Sequence, residues 1–189
     1  MTKTSSHNFF IGLFEKLLYK NDLLSKLYIG FFKKMTIKEF STVRIPEYAK
    51  VLIIGCGSLP HTVINLGIGK KWKLTGIDID KDAVNKAKSL VKKYKLKGEV
   101  KILEGNGLTV DLSGYDLIVI SFDVKPKEKI LERLLKDMDE KTFILYRTTL
   151  ESFKKIYGKD VITKNATIEK TFYRSDFIKS LILTRSKKQ

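Results

Sequence analysis

The stretch VLIIGCGSLP, residues 51–60, decides how this sequence folds. Its first five residues form an unbroken apolar run, which is typical of a strand buried on both faces of a parallel sheet. Gly55 then permits a tight turn, and Gly57 leaves room for a ligand to approach the backbone. Pro60 stands where a helix can begin, because the first helical position needs no N–H donor. The stretch therefore predicts a strand, a glycine turn and a helix whose free N–H groups face a ligand.

The chain around this stretch alternates between strand-like and helix-like segments. The predicted strands are residues 51–55, 73–79, 99–103, 116–122 and 141–147, and the predicted helices are residues 81–94, 126–138 and 150–157. Two further strand-like runs, residues 167–173 and 177–184, are separated by three residues, which is too few for a crossover helix. We therefore expect residues 48–189 to form an α/β domain with a mostly parallel seven-stranded sheet and a C-terminal antiparallel hairpin.

Residues 1–47 are predicted to form an N-terminal helical cap on this domain. Apolar residues recur there at helical spacing, and Asp22 is placed to cap the second of two helices. The apolar positions are Phe10, Leu13, Phe14, Leu17 and Leu18 in the first helix, and Leu23, Leu24, Leu27 and Tyr28 in the second. We expect the cap to pack on the main domain. The alternative is a lysine-edged surface that touches a membrane or closes over a substrate.

Composition indicates one soluble domain. The chain has 189 residues, of which 43% are hydrophobic and 31% charged, and no apolar run is long enough to span a membrane. A single cysteine, Cys56, cannot form an internal disulfide, which favours a cytoplasmic location, and the two histidines argue against a structural zinc site. The net charge of +16 comes from scattered lysines and leaves nucleic acid as an alternative partner to a small molecule.

An acidic residue follows the second predicted strand. Asp78 lies 21 positions beyond the second glycine of the turn, where a carboxylate can accept hydrogen bonds from both hydroxyls of a ribose. Its alternative role is to start the turn before a helix that Asp80 caps. Pro60 occupies the third glycine position of a dinucleotide fingerprint and would crowd a pyrophosphate, which S-adenosylmethionine lacks. Asn106, within residues 105–107, is predicted to receive an adenine amino group, with a tight loop as the alternative. The pattern thus predicts S-adenosylmethionine as the ligand.

The order of these motifs over residues 48–185 resembles that of class I S-adenosylmethionine-dependent methyltransferases, which have a Rossmann-like fold. Within that superfamily, GCGSLPHT at residues 55–62 is similar to the Gly-x-Gly-x-Leu-Pro-x-Thr turn of nicotianamine synthases. Residues 145–148 and 177–185 resemble that family's last parallel strand and terminal hairpin. Those enzymes move the aminocarboxypropyl group of the same cofactor. The resemblance implies cofactor contacts at Gly55, Cys56, Gly57, Ser58, Leu59, Asp78, Ile79, Asn106, Gly107, Ser121 and Phe122.

The chain departs from this resemblance at two places. Methyltransferases of this class usually carry an acid where the first strand here has Ile53, so the amino end of the cofactor would be held differently. Nicotianamine synthases also have a larger helical front part than residues 1–47 provide. Because residues 1–47 are shorter than the corresponding part of those enzymes, the resemblance does not determine the substrate channel or the reaction.

Group transfer from a sulfonium depends more on alignment than on a catalytic triad, and no triad is visible here. Four residues near strand ends are predicted to handle the substrate, each with a structural role as its alternative. Tyr146 would orient or deprotonate an amine, Arg147 would bind a substrate carboxylate, and Asp123 and His61 are further candidates. Cys56 is interpreted as a small apolar filler of the turn and not as a nucleophile.

Three functions are compatible with the sequence. The favoured one is an S-adenosylmethionine-dependent transferase that moves a methyl or aminocarboxypropyl group to a small molecule. The second is an RNA or DNA methyltransferase, which the charge supports. Against it, residues 121–124 read SFDV and not the Asn/Asp-Pro-Pro-aromatic motif of enzymes that methylate base amino groups. The third is a cofactor-binding module without catalysis.

Overall fold

The computed structural model of the protein describes residues 21–150 and 165–186. In this part of the chain, four helices and seven strands follow one another. The helices are α1 (Asp22–Phe40), α2 (His61–Gly69), α3 (Lys81–Val91) and α4 (Lys127–Asp137), and the strands are β1 (Lys50–Ile54), β2 (Lys73–Asp78), β3 (Val100–Glu104), β4 (Leu117–Ile120), β5 (Phe143–Thr149), β6 (Ala166–Tyr173) and β7 (Ile178–Arg185). The helix predicted at residues 9–18 lies outside the described residues, as does the one predicted at residues 150–157 apart from its first residue.

The seven strands form one sheet with the order β3-β2-β1-β4-β5-β7-β6. The first five strands in this order are parallel, and β7 runs antiparallel between β5 and β6. This sheet confirms the predicted α/β fold and its C-terminal hairpin. The strand order reverses between β1 and β4. In open parallel sheets, the crevice beyond the carboxyl ends of two such strands is where ligands bind.

The centre of the sheet is apolar on both faces, as the unbroken run in β1 predicts. Alternate side chains of a strand point to opposite faces. Val51 and Ile53 therefore pack with α2 and α3, whereas Leu52 and Ile54 pack with α4. The end of α1 joins the first of these layers through Phe40, which is fully buried. Two helical layers thus cover the sheet and leave its carboxyl edge for the site.

Helix α1 packs with a different face from the one predicted. The inward face includes three polar residues, so the spacing of apolar residues alone pointed to the wrong side of the helix. The exposed side chains include Leu23 (66%), Leu24 (40%) and Leu27 (62%), and the buried ones are Ser25, Ile29, Met35, Thr36, Glu39 and Phe40. Among the described residues, no helix is long and apolar enough to cross a membrane.

The cap of α1 also differs from the prediction by one residue. Asn21 has the extended backbone of an N-cap, and its side-chain oxygen accepts hydrogen bonds from the N–H groups of Leu23 and Leu24 at 3.0 and 3.2 Å. Asp22 is already helical and instead pairs with Lys93 of the segment after α3 at 2.5 Å. The prediction was wrong because both residue types are good caps, and only the backbone geometry distinguishes them.

A buried ionic network holds α1 against the sheet. The Glu39 carboxylate accepts hydrogen bonds from Nε and Nη2 of Arg147 in β5, at 2.9 and 2.7 Å. It also accepts one from Nη1 of Arg174, in the hairpin turn, at 2.9 Å, and one from the Ser180 hydroxyl in β7. Arg147 Nη1 donates to the Thr62 hydroxyl of α2 at 2.9 Å. One carboxylate therefore links two helices, the last parallel strand and the hairpin.

The carboxyl group of Glu39 stays ionised although it is fully buried. Burial alone would raise the pKa of Glu39, but the charges and hydrogen bonds of Arg147 and Arg174 outweigh burial and place it below its usual value. Arg174 is balanced in turn by Asp176, which accepts from its Nη2 at 2.8 Å. The charges of the two arginines and of the two carboxylates, Glu39 and Asp176, sum to zero, which is the arrangement that a buried ionic cluster requires.

Replacing Glu39 is expected to destabilise the fold strongly. Glu39→Ala would leave two buried guanidinium groups without their shared partner, so we expect the free energy of unfolding to fall by about 3–5 kcal/mol. The matched control is Glu47→Ala, which removes a surface pair with Lys71 at 3.1 Å and should cost less than about 1 kcal/mol. Urea denaturation followed by circular dichroism measures both, and equal losses for the two variants would contradict a structural role for the network.

Candidate functional site

A cavity of about 510 Å³ opens at the carboxyl edge of the sheet, where the strand order reverses. Two groups of residues line it. The nucleoside half is lined by Gly55, Cys56, Gly57, Asp78, Ile79, Asn106, Gly107 and Ser121. The acceptor half is lined by Tyr28, Phe32, His61, Thr62, Arg147, Arg174, Asp176 and Phe177. We use these two names below for the two parts of one continuous cavity.

The glycine turn after β1 has the geometry that its sequence predicts. Gly55 and Gly57 have φ values of 77° and 67°, a region that favours glycine. A Cβ atom at Gly55 would lie 2.3 Å from a methyl group of Val124, whereas one at Gly57 would meet no atom within 4 Å. The N–H groups of Gly55 and Cys56 both donate to the Ile77 carbonyl, at 2.9 and 3.0 Å. The turn is thus fixed to β2, and its second glycine leaves open space in the cavity.

The carboxylate of Asp78 is held in place by the turn that it faces. Its Oδ2 accepts a hydrogen bond from Gly57 N at 2.8 Å, and its Oδ1 accepts one from Asp80 N at 3.1 Å. Asp80 in turn caps α3 by accepting from Asp82 N at 2.8 Å. Asp78 therefore has its alternative role in the turn and also lines the cavity, while its contact with a ribose stays a prediction. Each carboxylate oxygen keeps acceptor capacity for a further donor.

The loop after β3 forms the far wall of the nucleoside half. Asn106 Oδ1 accepts from Leu108 N at 2.9 Å, which makes the tight loop that the sequence left as one alternative. Arg133 of α4 fixes this loop by donating to the carbonyls of Gly107 and Val110 at 2.9 and 2.6 Å. A Cβ atom at Gly107 would lie 2.9 Å from Ile54, so the loop approaches β1 too closely for any other residue. Asn106 is both a loop residue and part of the cavity wall.

The mouth of the cavity is bordered by two aromatic side chains. The rings of Phe122, after β4, and Phe177, before β7, meet edge to face with their centroids 5.6 Å apart. Lys127 Nζ lies 4.9 Å from the centroid of Phe122. Asp123 is exposed beside this pair and also lines the cavity, and Ile79 is 72% exposed on the opposite border.

Two predicted site residues do not line the cavity. Ser58 is buried within the turn, while Leu59 beside it does reach the cavity. Tyr146 is fully buried in the layer under α4, with its ring 5.3 Å from Lys127 Nζ. The reason is the alternation of strand side chains, which turns Arg147 towards the cavity and Tyr146 to the other face of the sheet. In this structure Tyr146 is therefore not placed to orient an amine in the cavity.

The guanidinium of Arg147 lines the cavity but is already engaged. Its Nε and both terminal nitrogens donate to Glu39 and Thr62, and the residue is only 4% exposed. The predicted role of binding a substrate carboxylate therefore competes with the buried network. This pairing could not be predicted from the spacing of residues, because Glu39 is 108 positions away.

The imidazole of His61, the first residue of α2, is neutral. Burial, followed by the charges of Arg147 and Arg174, lowers the pKa of His61 to about 3, although Glu39 and a hydrogen bond to the Leu59 backbone oppose this. Its Nε2 atom has no exposed surface and, within the part of the chain that the structure describes, no hydrogen-bond partner. The ring packs against Phe32 and Tyr28 of α1, with centroids 4.8 and 5.7 Å away.

Cys56 behaves as the apolar filler that the sequence suggested. Burial, together with the charge of Asp78, raises the pKa of Cys56 to about 12, so its thiol stays protonated at neutral pH. Within residues 21–150 and 165–186, no three His, Cys, Asp or Glu side chains are grouped in a way that could hold a metal ion.

Sequence reasoning missed much of the acceptor half. Phe32 was not singled out on α1, and Arg174 and Asp176 were interpreted only as a turn between two strands. Two opposite charges within a three-residue turn were the one available signal. Their role became visible only when the hairpin was placed beside β5.

The comparisons with known proteins concern the fold. No protein-family model matches the sequence, and no curated protein matches it. Among solved structures, the nicotianamine synthase MtNAS in complex with MTA and tNA has a TM-score of 0.77 at 16% identity, covering 92% of this chain and 69% of that chain. An RNA methyltransferase from Salinibacter ruber, in complex with S-adenosyl-L-homocysteine, has a TM-score of 0.64 at 14% identity, covering 82% and 93%. An S-adenosylmethionine-dependent methyltransferase from Aquifex aeolicus has a TM-score of 0.63 at 18% identity, covering 80% of this chain and 89% of that chain.

These similarities agree with the strand order and define the class of fold. The protein has the Rossmann-like fold of class I S-adenosylmethionine-dependent methyltransferases, as its motifs predicted. Within that class its fold is similar to that of nicotianamine synthase.

Because the imidazole of His61 is neutral in the native state, we expect the free energy of unfolding to decrease as the pH is lowered. The unfolded chain binds a proton near pH 6.5, whereas the native state does so only near pH 3, so stability declines progressively below pH 6.5. Between pH 7 and pH 5 we expect the free energy of unfolding to decrease by about 2 kcal/mol for this reason. Urea denaturation at the two pH values measures it. His61→Asn should remove the difference, and His7→Asn, at the only other histidine, should retain it. An equal pH dependence in His61→Asn would contradict the neutral assignment.

Proposed function

We propose that the protein is an S-adenosylmethionine-dependent transferase that acts on a small molecule. The observation that carries this proposal is the Asp78 carboxylate, which Gly57 N holds at 2.8 Å at the wall of a cavity where the strand order reverses. A fixed carboxylate beside a left-handed glycine suits the ribose of a nucleoside, because it accepts from hydroxyl groups while the glycine leaves room for the sugar.

The nucleoside half would hold the cofactor from three sides. Asp78 would accept the ribose hydroxyls, Asn106 would face the adenine edge, and the apolar Ile79 would lie on the adenine ring. A cavity of about 510 Å³ is within the usual range for small-ligand sites. MtNAS has been crystallised, as a variant, with S-adenosylmethionine, which supports the same cofactor in a protein of this fold. When bound, the cofactor supplies a carbon activated by a neighbouring sulfonium.

The chain's own residues would contribute alignment and exclusion of water. Phe122 and Phe177 border the mouth, and α1 covers the acceptor half through Tyr28 and Phe32. Holding a nucleophile in line with the carbon that it attacks supplies most of what such a displacement needs, with effective molarities on the order of 10⁵ M or more. This enclosed geometry favours a small acceptor.

For the transferred group we propose aminocarboxypropyl in preference to methyl. The turn GCGSLPHT resembles that of nicotianamine synthases, and the fold is similar to that of MtNAS. Ile53 also lines the cavity at the position where methyltransferases usually carry an acid. Without that acid the amino-acid end of the cofactor is free to lie in another orientation, as transfer of that end would require.

A second candidate, methylation of RNA, is supported by the net charge of +16 and by the similarity in fold to an RNA methyltransferase. Scattered lysines attract phosphates without binding them in pairs of hydrogen bonds as arginines do. Such binding would weaken steeply with salt. The product experiment described below therefore has a nucleic-acid arm.

Replacing Asp78 is expected to weaken cofactor binding. Asp78→Asn removes the charge but keeps one acceptor for the turn, so we expect the affinity for S-adenosylhomocysteine to fall by about 1–3 kcal/mol, roughly 5- to 150-fold. Isothermal titration calorimetry measures this, with circular dichroism to verify the fold. The control is Asp82→Asn, at an exposed position in the first turn of α3. An unchanged affinity in Asp78→Asn would refute the ribose assignment.

The cofactor product is expected to be methylthioadenosine. The protein is incubated with S-adenosylmethionine and, in separate reactions, with the small-molecule and the RNA fractions of a cell extract, and mass spectrometry identifies the nucleoside product. Methylthioadenosine from the small-molecule fraction supports aminocarboxypropyl transfer, and S-adenosylhomocysteine supports methyl transfer. Product from the RNA fraction alone would favour the second candidate. Failure to bind S-adenosylmethionine at all would refute the transferase proposal.

A further inference from the structure

The imidazole of His61 belongs to a residue that lines the acceptor half of the cavity. It follows the glycine turn directly, and its ring packs against Phe32 and Tyr28 of α1. An interaction with the Leu59 backbone raises the pKa of His61, as expected of a ring N–H that donates to the Leu59 carbonyl. We assign this nitrogen as Nδ1, because Nε2 has no hydrogen-bond partner. In a neutral imidazole with Nδ1 protonated, Nε2 carries a lone pair and is an acceptor.

Buried acceptors without a donor are rare in folded proteins, and each requires an explanation such as a ligand or an ordered water. Among the described residues, no side chain or backbone N–H supplies the donor to Nε2. The atom belongs to a residue that lines the cavity, so a bound molecule is the partner that this position can receive.

We propose that His61 Nε2 accepts a hydrogen bond from the nucleophilic N–H or O–H group of the acceptor substrate, and that the site takes this group in its uncharged form. The inference rests on the proposed transferase function and concerns the same cavity. It makes His61 a residue that contacts the substrate and defines the chemical class of the acceptor.

The charges around His61 explain why the acceptor must be uncharged. Arg147 and Arg174 act on the imidazole from β5 and the hairpin turn, and Glu39 acts on it from α1. The two arginines are balanced by Glu39 and Asp176, so this cluster leaves no negative charge in excess. An ammonium group could donate a hydrogen bond to Nε2, but it has no lone pair with which to attack a carbon. A neutral amine or hydroxyl instead donates one hydrogen and keeps a lone pair for attack.

The aromatic side chains of α1 define the rest of the acceptor. Nε2 has no exposed surface, and Phe32 and Tyr28 are the rings packed on the imidazole. Access to Nε2 therefore requires a neighbouring side chain to move, and a substrate that reaches this atom lies beside these rings. Apolar contacts of this kind favour an aromatic or aliphatic group next to the nucleophilic atom. The acceptor is thus a neutral N–H or O–H nucleophile on an apolar framework.

The transfer step balances with these groups alone. The lone pair of the acceptor atom forms a bond to the carbon next to the sulfonium, and the carbon–sulfur bond breaks with its electron pair going to sulfur. The positive charge moves from sulfur to the acceptor atom, whose hydrogen bond to Nε2 becomes charge-assisted and stronger. An amine product keeps the proton as an ammonium ion, whereas a hydroxyl acceptor passes its proton to Nε2 as the new bond forms, which leaves an imidazolium.

A fragment experiment tests the acceptor role without the natural substrate. The protein contains two histidines, so ¹⁵N-histidine labelling gives two sets of ring resonances, which His7→Asn distinguishes. Phenol carries an O–H donor on an aromatic ring, and anisole is its methyl ether without the donor. We expect phenol, and not anisole, to move the Nε2 resonance of His61 upfield. An unmoved resonance with phenol, or an equal effect of anisole, would overturn the proposal.

Two variants test the same role in turnover. His61→Leu keeps an apolar side chain but removes the acceptor, whereas His61→Asn retains an amide oxygen. With S-adenosylmethionine and the small-molecule fraction of a cell extract, we expect the single-turnover rate to fall about 100-fold or more in His61→Leu and less than about 10-fold in His61→Asn. Calorimetry with S-adenosylhomocysteine should give equal affinities for both variants and the unsubstituted protein. If His61→Leu turns over as fast as the unsubstituted protein, the proposed role of His61 is wrong, and the transferase proposal is unaffected. Absence of both cofactor binding and turnover in the unsubstituted protein would instead sink the transferase proposal.

Discussion

Two guanidinium groups and one hydroxyl converge on the carboxylate of Glu39, which has no exposed surface. A charge in such a place persists only when partners replace the water that it has lost. Each partner comes from a different part of the chain, namely β5, the hairpin turn and β7. This single ionic cluster therefore couples the position of α1, which covers the acceptor half, to the placement of the hairpin.

The same cluster sets the electrostatics of the acceptor half. Arg147 and Arg174 line the cavity, yet their charges are balanced by Glu39 and Asp176. Their combined field, together with burial, keeps His61 neutral. A cavity that looks basic from its arginines is thus lined by arginines whose charges are already balanced and by a neutral imidazole, which is a different surface from the carboxylate-binding one that its sequence suggests.

The nucleoside half is built in another way, from short-range constraints. Gly55 and Gly57 provide the left-handed turn, and the turn fixes Asp78 by one backbone hydrogen bond. These contacts join adjacent strands at the centre of the sheet and involve no residue of α1. The glycine-turn side of the cavity is therefore positioned by local contacts within the sheet, whereas the acceptor half is positioned by α1 and the hairpin.

The sequence by itself determined the sheet, the hairpin and most of the residues that line the cavity beside the glycine turn. An apolar run that must be buried on both faces, glycines that tolerate positive φ and an acid at a strand end each act over a few residues, so spacing along the chain reveals them. It did not determine which face of α1 turns inward, because the polar residues Ser25, Thr36 and Glu39 lie on that face, and the partners that hold Glu39 there are far away in sequence. Nor did it show that Tyr146 points away from the cavity, since that depends on the register of β5 in the finished sheet. Only the tertiary structure decided these points, because charge pairing and the facing of strand side chains are settled when distant segments meet.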